Sequence, residues 1–137
     1  MVRVHARYLG DLRCEATHEP SGNSLITDAP VDNHGKGEAF SPTDLLATAL
    51  GTCILTTMAI SARKHGLDIA PASCTVDKEM SADPPRRVAR LTVDLTLPSH
   101  IPQDRRPALE AAAKACPVHH SLHPGIDLRV SIRYADR

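Results

Sequence analysis

Two thiols are the residues in this chain best suited to chemistry. Cys53 and Cys116 lie 63 residues apart, each in a segment of specific composition. Cys53 ends the run Ser41-Pro42-Thr43-Asp44-Leu45-Leu46-Ala47-Thr48-Ala49-Leu50-Gly51-Thr52-Cys53, which reads as a capped, mostly apolar helix with a thiol about three turns in. Cys116 opens Cys116-Pro117-Val118-His119-His120-Ser121-Leu122, a thiol at a helix start with imidazoles beside it. A buried thiol on one element and a polarised thiol on another form the set a two-cysteine redox enzyme needs. One sulfur takes an oxygen from a peroxide, and the other resolves the product as a disulfide.

Thiol chemistry follows the thiolate, and the thiolate follows its surroundings. Pro117 is favoured at the first helical position, which makes Cys116 the N-cap. There the helix N–H groups and dipole are expected to lower the thiol pKa. The plainer reading is a small residue where one helix ends and another begins. Cys53 also has a plainer reading, because a lone cysteine on an apolar helix is usually a small core residue. Cys14 and Cys74 sit on strand patterns and are read as packing residues.

His119, His120 and His123 stand near Cys116. Cys-x-x-His is an available ligand pair for a metal, but no second compact pair completes a set of four. The imidazoles read better as lining a cleft than as metal ligands. Arg86-Arg87, after Pro84-Pro85, reads as a solvated turn.

The elements that must position these groups follow from periodicity. Residues 2 to 9 and 12 to 18 alternate as strands, with a hairpin turn at Gly10-Asp11. Pro20-Ser21-Gly22-Asn23 turns the chain into a short strand from Ser24 to Asp28, completing an antiparallel meander. Residues 29 to 41 form a loop long enough to serve a site or an interface. Ser41 as N-cap, Pro42 in the first turn and Asp44 three residues after the cap start a helix expected to run to about His65, stopped by Gly66. Its apolar residues cover most of the circumference, so it must be buried on nearly all sides, against the sheet and against another helix or a second subunit. Residues 73 to 80 form a strand. Arg90 to Leu97 alternates with Leu91, Val93, Leu95 and Leu97 on one face. A helix at about 103 to 115 tolerates Pro107 only in its first turn. Residues 117 to 122 add a helical turn or two. Ile126 to Tyr134 alternates as a closing strand. The order is that of an α+β layer architecture.

Size and charge set the outer bounds. The 137 residues suit one domain with one core. Sixteen basic and sixteen acidic residues cancel, which gives no reason to expect a nucleic acid or an anionic membrane as partner. Two tyrosines, one phenylalanine and no tryptophan leave no platform for stacking bases. Residues 1 to 8 alternate and carry charge, unlike a signal peptide, and no apolar run approaches bilayer-spanning length. The expected location is cytoplasmic. Thiols are kept reduced there, so four cysteines are not expected to form two permanent staples.

Nearly the whole chain resembles the OsmC/Ohr superfamily, the osmotically inducible and organic hydroperoxide resistance proteins. The matching residues are Phe40-Ser41-Pro42-Thr43-Asp44-Leu45-Leu46, continuing through Ala49-Leu50-Gly51-Thr52-Cys53, and Cys116-Pro117-Val118 with Ser121-Leu122. The likeness is greatest to the broad OsmC-like branch. It implies antiparallel sheets with a long central helix, in an intertwined homodimer with active sites at the subunit interface. It also implies that Cys53 is the peroxidatic thiol and Cys116 the resolving one, with a dithiol such as dihydrolipoamide as reductant in some members and no metal or flavin. Hydroperoxide-specific members carry a Glu ten residues before the helix cysteine, where this chain has Thr43. They also carry an Arg after the first strand, for which Arg13 is the nearest match. Arg13 and Asp44 are therefore the candidates for the Arg–carboxylate pair that activates the thiolate.

Three functions follow as expectations. The first is a thiol peroxidase for organic hydroperoxides. The second is a non-enzymatic module of the same fold that binds an apolar ligand, favoured by the missing Glu. The third is a metal-binding protein built on Cys116 and the histidines.

Overall fold

A computed structural model describes residues 1–136. The chain divides into two compact units, Met1–Leu46 and Ala47–Arg137, with the boundary inside the first helix. Each unit has its own three-stranded sheet.

The first unit is the expected meander of β1 (Val4–Gly10), β2 (Arg13–His18) and β3 (Ser24–Asp28), in spatial order β1-β2-β3. The tight turn falls at Asp11-Leu12, one residue later than the sequence suggests. Both residues are left-handed, with φ of 54° and 62°. That conformation matches a two-residue turn to the twist of the strands it joins. The β2–β3 register sets Thr17 against Ser24 and, four pairs along, Arg13 against Asp28. Much of the sheet's apolar surface is exposed in the single chain: Val4, Tyr8, Leu25 and Ile26 all face outward.

Helix α1 (Pro42–Arg63) begins and ends as its residues dictate. The Asp44 N–H donates to Ser41 Oγ at 3.0 Å, and the Ser41 N–H donates back to Asp44 Oδ2 at 2.9 Å. This reciprocal box satisfies two of the N–H groups a helix start leaves open. At the other end Gly66 takes φ of 69°. The Leu67 N–H then reaches the Ala62 carbonyl and the Gly66 N–H the Arg63 carbonyl, at 3.0 and 3.1 Å. Only glycine takes this conformation without strain from a Cβ.

The helix is not buried all round in the single chain. Ala47, Leu50, Gly51, Ile54, Met58 and Ala62 form one buried stripe. Leu45, Leu46, Ala49, Leu55 and Ala59 are only half-buried, and Ile60 is 54 % exposed. α1 is also long and apolar enough, by length and composition, to cross a membrane, contrary to the sequence expectation. Its threonines explain the difference. Thr52 and Thr56 break up the apolar run but carry no charge, and their hydroxyls donate to the carbonyls one turn back.

In the second unit α1 lies on β4 (Ser73–Met80). A Cβ on Gly51 would come within 2.8 Å of Val76 Cγ2 and 3.0 Å of Cys74 Sγ, so the glycine permits this close approach. β5 (Val88–Leu97) is central, and its Leu91, Val93, Leu95 and Leu97 are fully buried, as their alternation requires. β6 (Asp127–Tyr134) runs parallel to β5, so this sheet is mixed where purely antiparallel pairing was expected. The segment between β5 and β6 is long enough for a crossover, which parallel neighbours need. It holds a 3₁₀ turn, then α2 (Arg106–Lys114) and α3 (Pro117–Ser121). Pro107 falls in the first turn of α2, where it costs no hydrogen bond.

α2 is anchored by Leu109 and Ala113, both buried. The Arg106 guanidinium also lies 3.9 Å from the centre of the Tyr134 ring. The Tyr134 hydroxyl donates to Glu110 at 3.3 Å, and burial, aided by that carboxylate, pushes its pKa up to about 12. These contacts tie α2 to β6 and so place the α2–α3 junction, where Cys116 sits.

Candidate active site

Cys53 and Cys116 come together. The Cys53 thiol is near enough to Cys116 to act on its ionisation by side-chain hydrogen bonding and by charge. All four cysteines are free thiols.

Their burial is the reverse of the sequence expectation. Cys53 is half-buried, on the side of α1 turned away from the buried stripe, with its sulfur 3.9 Å from Thr57 Oγ1. Cys116 is fully buried. It is the N-cap of α3, as predicted, and its sulfur accepts the His119 N–H at 3.2 Å. The expected lowering of its pKa does not follow. Burial pushes the Cys116 thiol up. The His119 and Val118 N–H groups oppose that shift and Cys53 adds to it. Desolvation of the charged form outweighs hydrogen bonding by a one-turn helix. Cys74 is likewise pushed up by burial, and its sulfur packs under Gly51 on the stripe side of α1. Cys14 pairs across the first sheet with Tyr8 and Thr27.

Among the described residues no cluster of three or more His, Cys, Asp or Glu side chains could hold a metal. His119 and His120 stack with ring centres 5.7 Å apart, and the buried His119 Nδ1 has no hydrogen-bond partner among the described residues.

Arg13 belongs to the first unit and has two carboxylates there. Its Nη2 lies 3.4 Å from Asp28 Oδ2 and 3.0 Å from Glu38 Oε2. Asp28 is completely buried. Its Oδ2 also accepts the Glu38 N–H at 3.0 Å, while its Oδ1 is buried without a partner among the described residues. Asp44, the carboxylate proposed from sequence, closes the α1 capping box. Sequence reasoning missed Asp28 and Glu38. The signal for Asp28 was present: a meander turning at 20–23 sets Arg13 opposite Asp28.

The two roles open to Asp44 separate by mutation. Asp44→Ala is expected to cost about 1 kcal/mol of stability in a denaturant titration, the usual value of a helix cap. If capping is its whole role, the variant keeps its thiol reactivity. Asp28→Asn, by contrast, weakens one of the two carboxylate contacts of Arg13; if Arg13 activates the thiolate, Asp28→Asn and Arg13→Lys both lower thiol reactivity, since Lys lacks the planar fork.

The family model for OsmC-like protein matches residues 35–131, which includes both thiol segments. The chain belongs to the OsmC-like family. A crystal structure from Psychrobacter arcticus, of a protein assigned provisionally to osmotic stress induction and detoxification response, is 47% identical with a TM-score of 0.90. That match covers 97% of this chain and 96% of the other. The OsmC-like protein of Mycoplasma pneumoniae is similar in fold at 17% identity, with a TM-score of 0.82 and coverage of 99% and 98%. The organic hydroperoxide resistance protein OsmC of Legionella pneumophila is similar in fold at 19% identity, with a TM-score of 0.76 and coverage of 96% of each chain. No curated protein matches this chain. As an OsmC-like protein, the chain has the α+β fold anticipated from its motifs.

Proposed function

We propose that this OsmC-like protein is a thiol peroxidase that reduces organic hydroperoxides. The observation that carries the reading is the pairing of a partly accessible Cys53 with a buried Cys116 from a distant part of the chain. The Cys53 thiolate attacks the terminal oxygen of ROOH. The O–O bond breaks, Cys53 becomes a sulfenic acid, and the alkoxide takes a proton to leave as ROH. The Cys116 thiolate then attacks the Cys53 sulfur. Water leaves and the Cys53–Cys116 disulfide forms. A dithiol reduces the disulfide and is itself oxidised to a disulfide. Arg13, held by Asp28 and Glu38, is proposed as the cation that favours the Cys53 thiolate, with Asp44 setting the start of the helix that carries it.

Leu46 and Ala49 precede Cys53 on the same helix outside the buried stripe, which favours alkyl hydroperoxides over hydrogen peroxide. The working form is proposed to be a cytoplasmic homodimer with its sites at the interface. The support is the apolar surface left open by the single chain: Val4, Tyr8, Leu25 and Ile26 on the first sheet, and Ile60 on α1.

The test is peroxide loss with a dithiol reductant, run with cumene hydroperoxide and with hydrogen peroxide, followed by non-reducing peptide mapping. The expected result is faster loss of cumene hydroperoxide and a Cys53–Cys116 bridge, with Cys14 and Cys74 left free. A bridge through Cys14 or Cys74 would show the wrong thiols paired. No loss of either peroxide would leave the ligand-binding module as the better reading.

A further inference from the structure

We infer that the reducing dithiol attacks the Cys53 sulfur of the Cys53–Cys116 disulfide, so that the mixed disulfide forms on Cys53 and Cys116 is the thiolate that leaves. This deepens the peroxidase reading and rests on it for the origin of the disulfide.

The argument is one of access. Thiol–disulfide exchange is a displacement at sulfur, with the attacking thiolate entering opposite the sulfur that departs. Attack on Cys116 would bring the reductant in from the protein side of a residue with no exposed surface. Cys53 keeps part of its surface and lies beside Thr52 and Thr56, which are exposed, so a thiolate has a route to its sulfur. Assembly with a second copy can only remove surface, so no oligomer makes Cys116 the more accessible of the two.

The departing sulfur is also provided for. The His119 N–H already points at Cys116 Sγ and stabilises the negative charge that forms on that sulfur as the S–S bond breaks. Burial works in the other direction, because a thiol pushed up is a slower leaving group. That effect scales the rate of one route, whereas the lack of any opening closes the other.

Each step balances. The first thiolate of the dithiol bonds to Cys53 Sγ, the S–S electron pair goes to Cys116, and Cys116 takes a proton. The second thiol of the reductant then attacks its own partner sulfur, releasing Cys53 as thiolate and the reductant as a cyclic disulfide. Peroxide and reductant therefore meet the protein at the same atom, one after the other.

The test uses the wild-type protein oxidised with diamide, so that the disulfide does not depend on peroxide turnover. 2-Mercaptoethanol, which has no second thiol, is added briefly. The reaction is stopped with excess N-ethylmaleimide in urea and the peptides are mapped. The expected result is mercaptoethanol on Cys53 and maleimide on Cys116, in about tenfold or greater excess over the reverse pattern. Mercaptoethanol on Cys116, an even split, or no Cys53–Cys116 bond under diamide would overturn the inference. A parallel sample treated with cumene hydroperoxide separates the two claims. A bridge made by diamide but not by peroxide overturns the peroxidase reading alone, and an adduct on Cys116 overturns this inference alone.

Discussion

Cys53→Ser is expected to abolish peroxide consumption, and Cys116→Ser to leave a single turnover. In the proposed cycle the two thiols share a site but not a role. Cys53 is the one a peroxide reaches without moving the core, because it keeps some exposed surface where Cys116 is fully buried. A serine hydroxyl cannot supply the thiolate that breaks the O–O bond. Without Cys116 the first step still occurs, but the sulfenic acid has no partner. It then accumulates or is oxidised further to the irreversible sulfinic acid. Rapid-mixing assays at equimolar peroxide, with mass spectrometry of the product, distinguish the outcomes. Steady turnover by Cys53→Ser would assign the chemistry to another thiol. The burial of Cys116 adds a pH dependence. Its thiol is pushed up, so its thiolate fraction grows as pH rises from neutral. The rate of disulfide formation after the peroxide step is therefore expected to rise over the same range.

Ile54→Asp is expected to prevent folding. Ile54 is fully buried in the single chain, in the stripe that includes Gly51 and Met58. An unpaired carboxylate there costs about 3–5 kcal/mol for the uncompensated charge, and losing the isoleucine's packing costs about 2–5 kcal/mol more. Against a total stability of about 5–15 kcal/mol, the sum removes most or all of the margin. The measurement is soluble yield and circular dichroism. Ile60→Asp makes the contrast. Ile60 is 54 % exposed, so a charge there stays in water in the single chain and is buried only by a partner. The expected product is folded protein that sediments as a monomer at micromolar concentration, where the wild type sediments as a dimer. A wild type that is monomeric and fully folded would remove the interface from the proposed site.

Local chemistry was the most legible part of this protein. A Ser-x-x-Asp box and a terminal glycine placed both ends of α1 to within two residues, because caps depend on a few neighbouring groups. Alternation identified Leu91, Val93, Leu95 and Leu97 as the buried face of β5, because one face of a strand must be apolar when it packs. The thiol motifs pointed to their family for a similar reason. Cys116 before Pro117 and Cys53 three turns into a capped apolar helix are patterns of neighbouring residues.

What tertiary structure decided was the environment of those same residues. The direction of β6 beside β5 depends on how a long crossover packs, which no strand pattern records. The partners of Arg13 depend on a hairpin register and a loop, which gave it Asp28 and Glu38. Above all, local sequence made Cys116 look polarised by a helix end and Cys53 look buried in a helix. Packing reversed the burial, because desolvation is summed over every atom that surrounds a sulfur, and most of those atoms come from elsewhere in the chain.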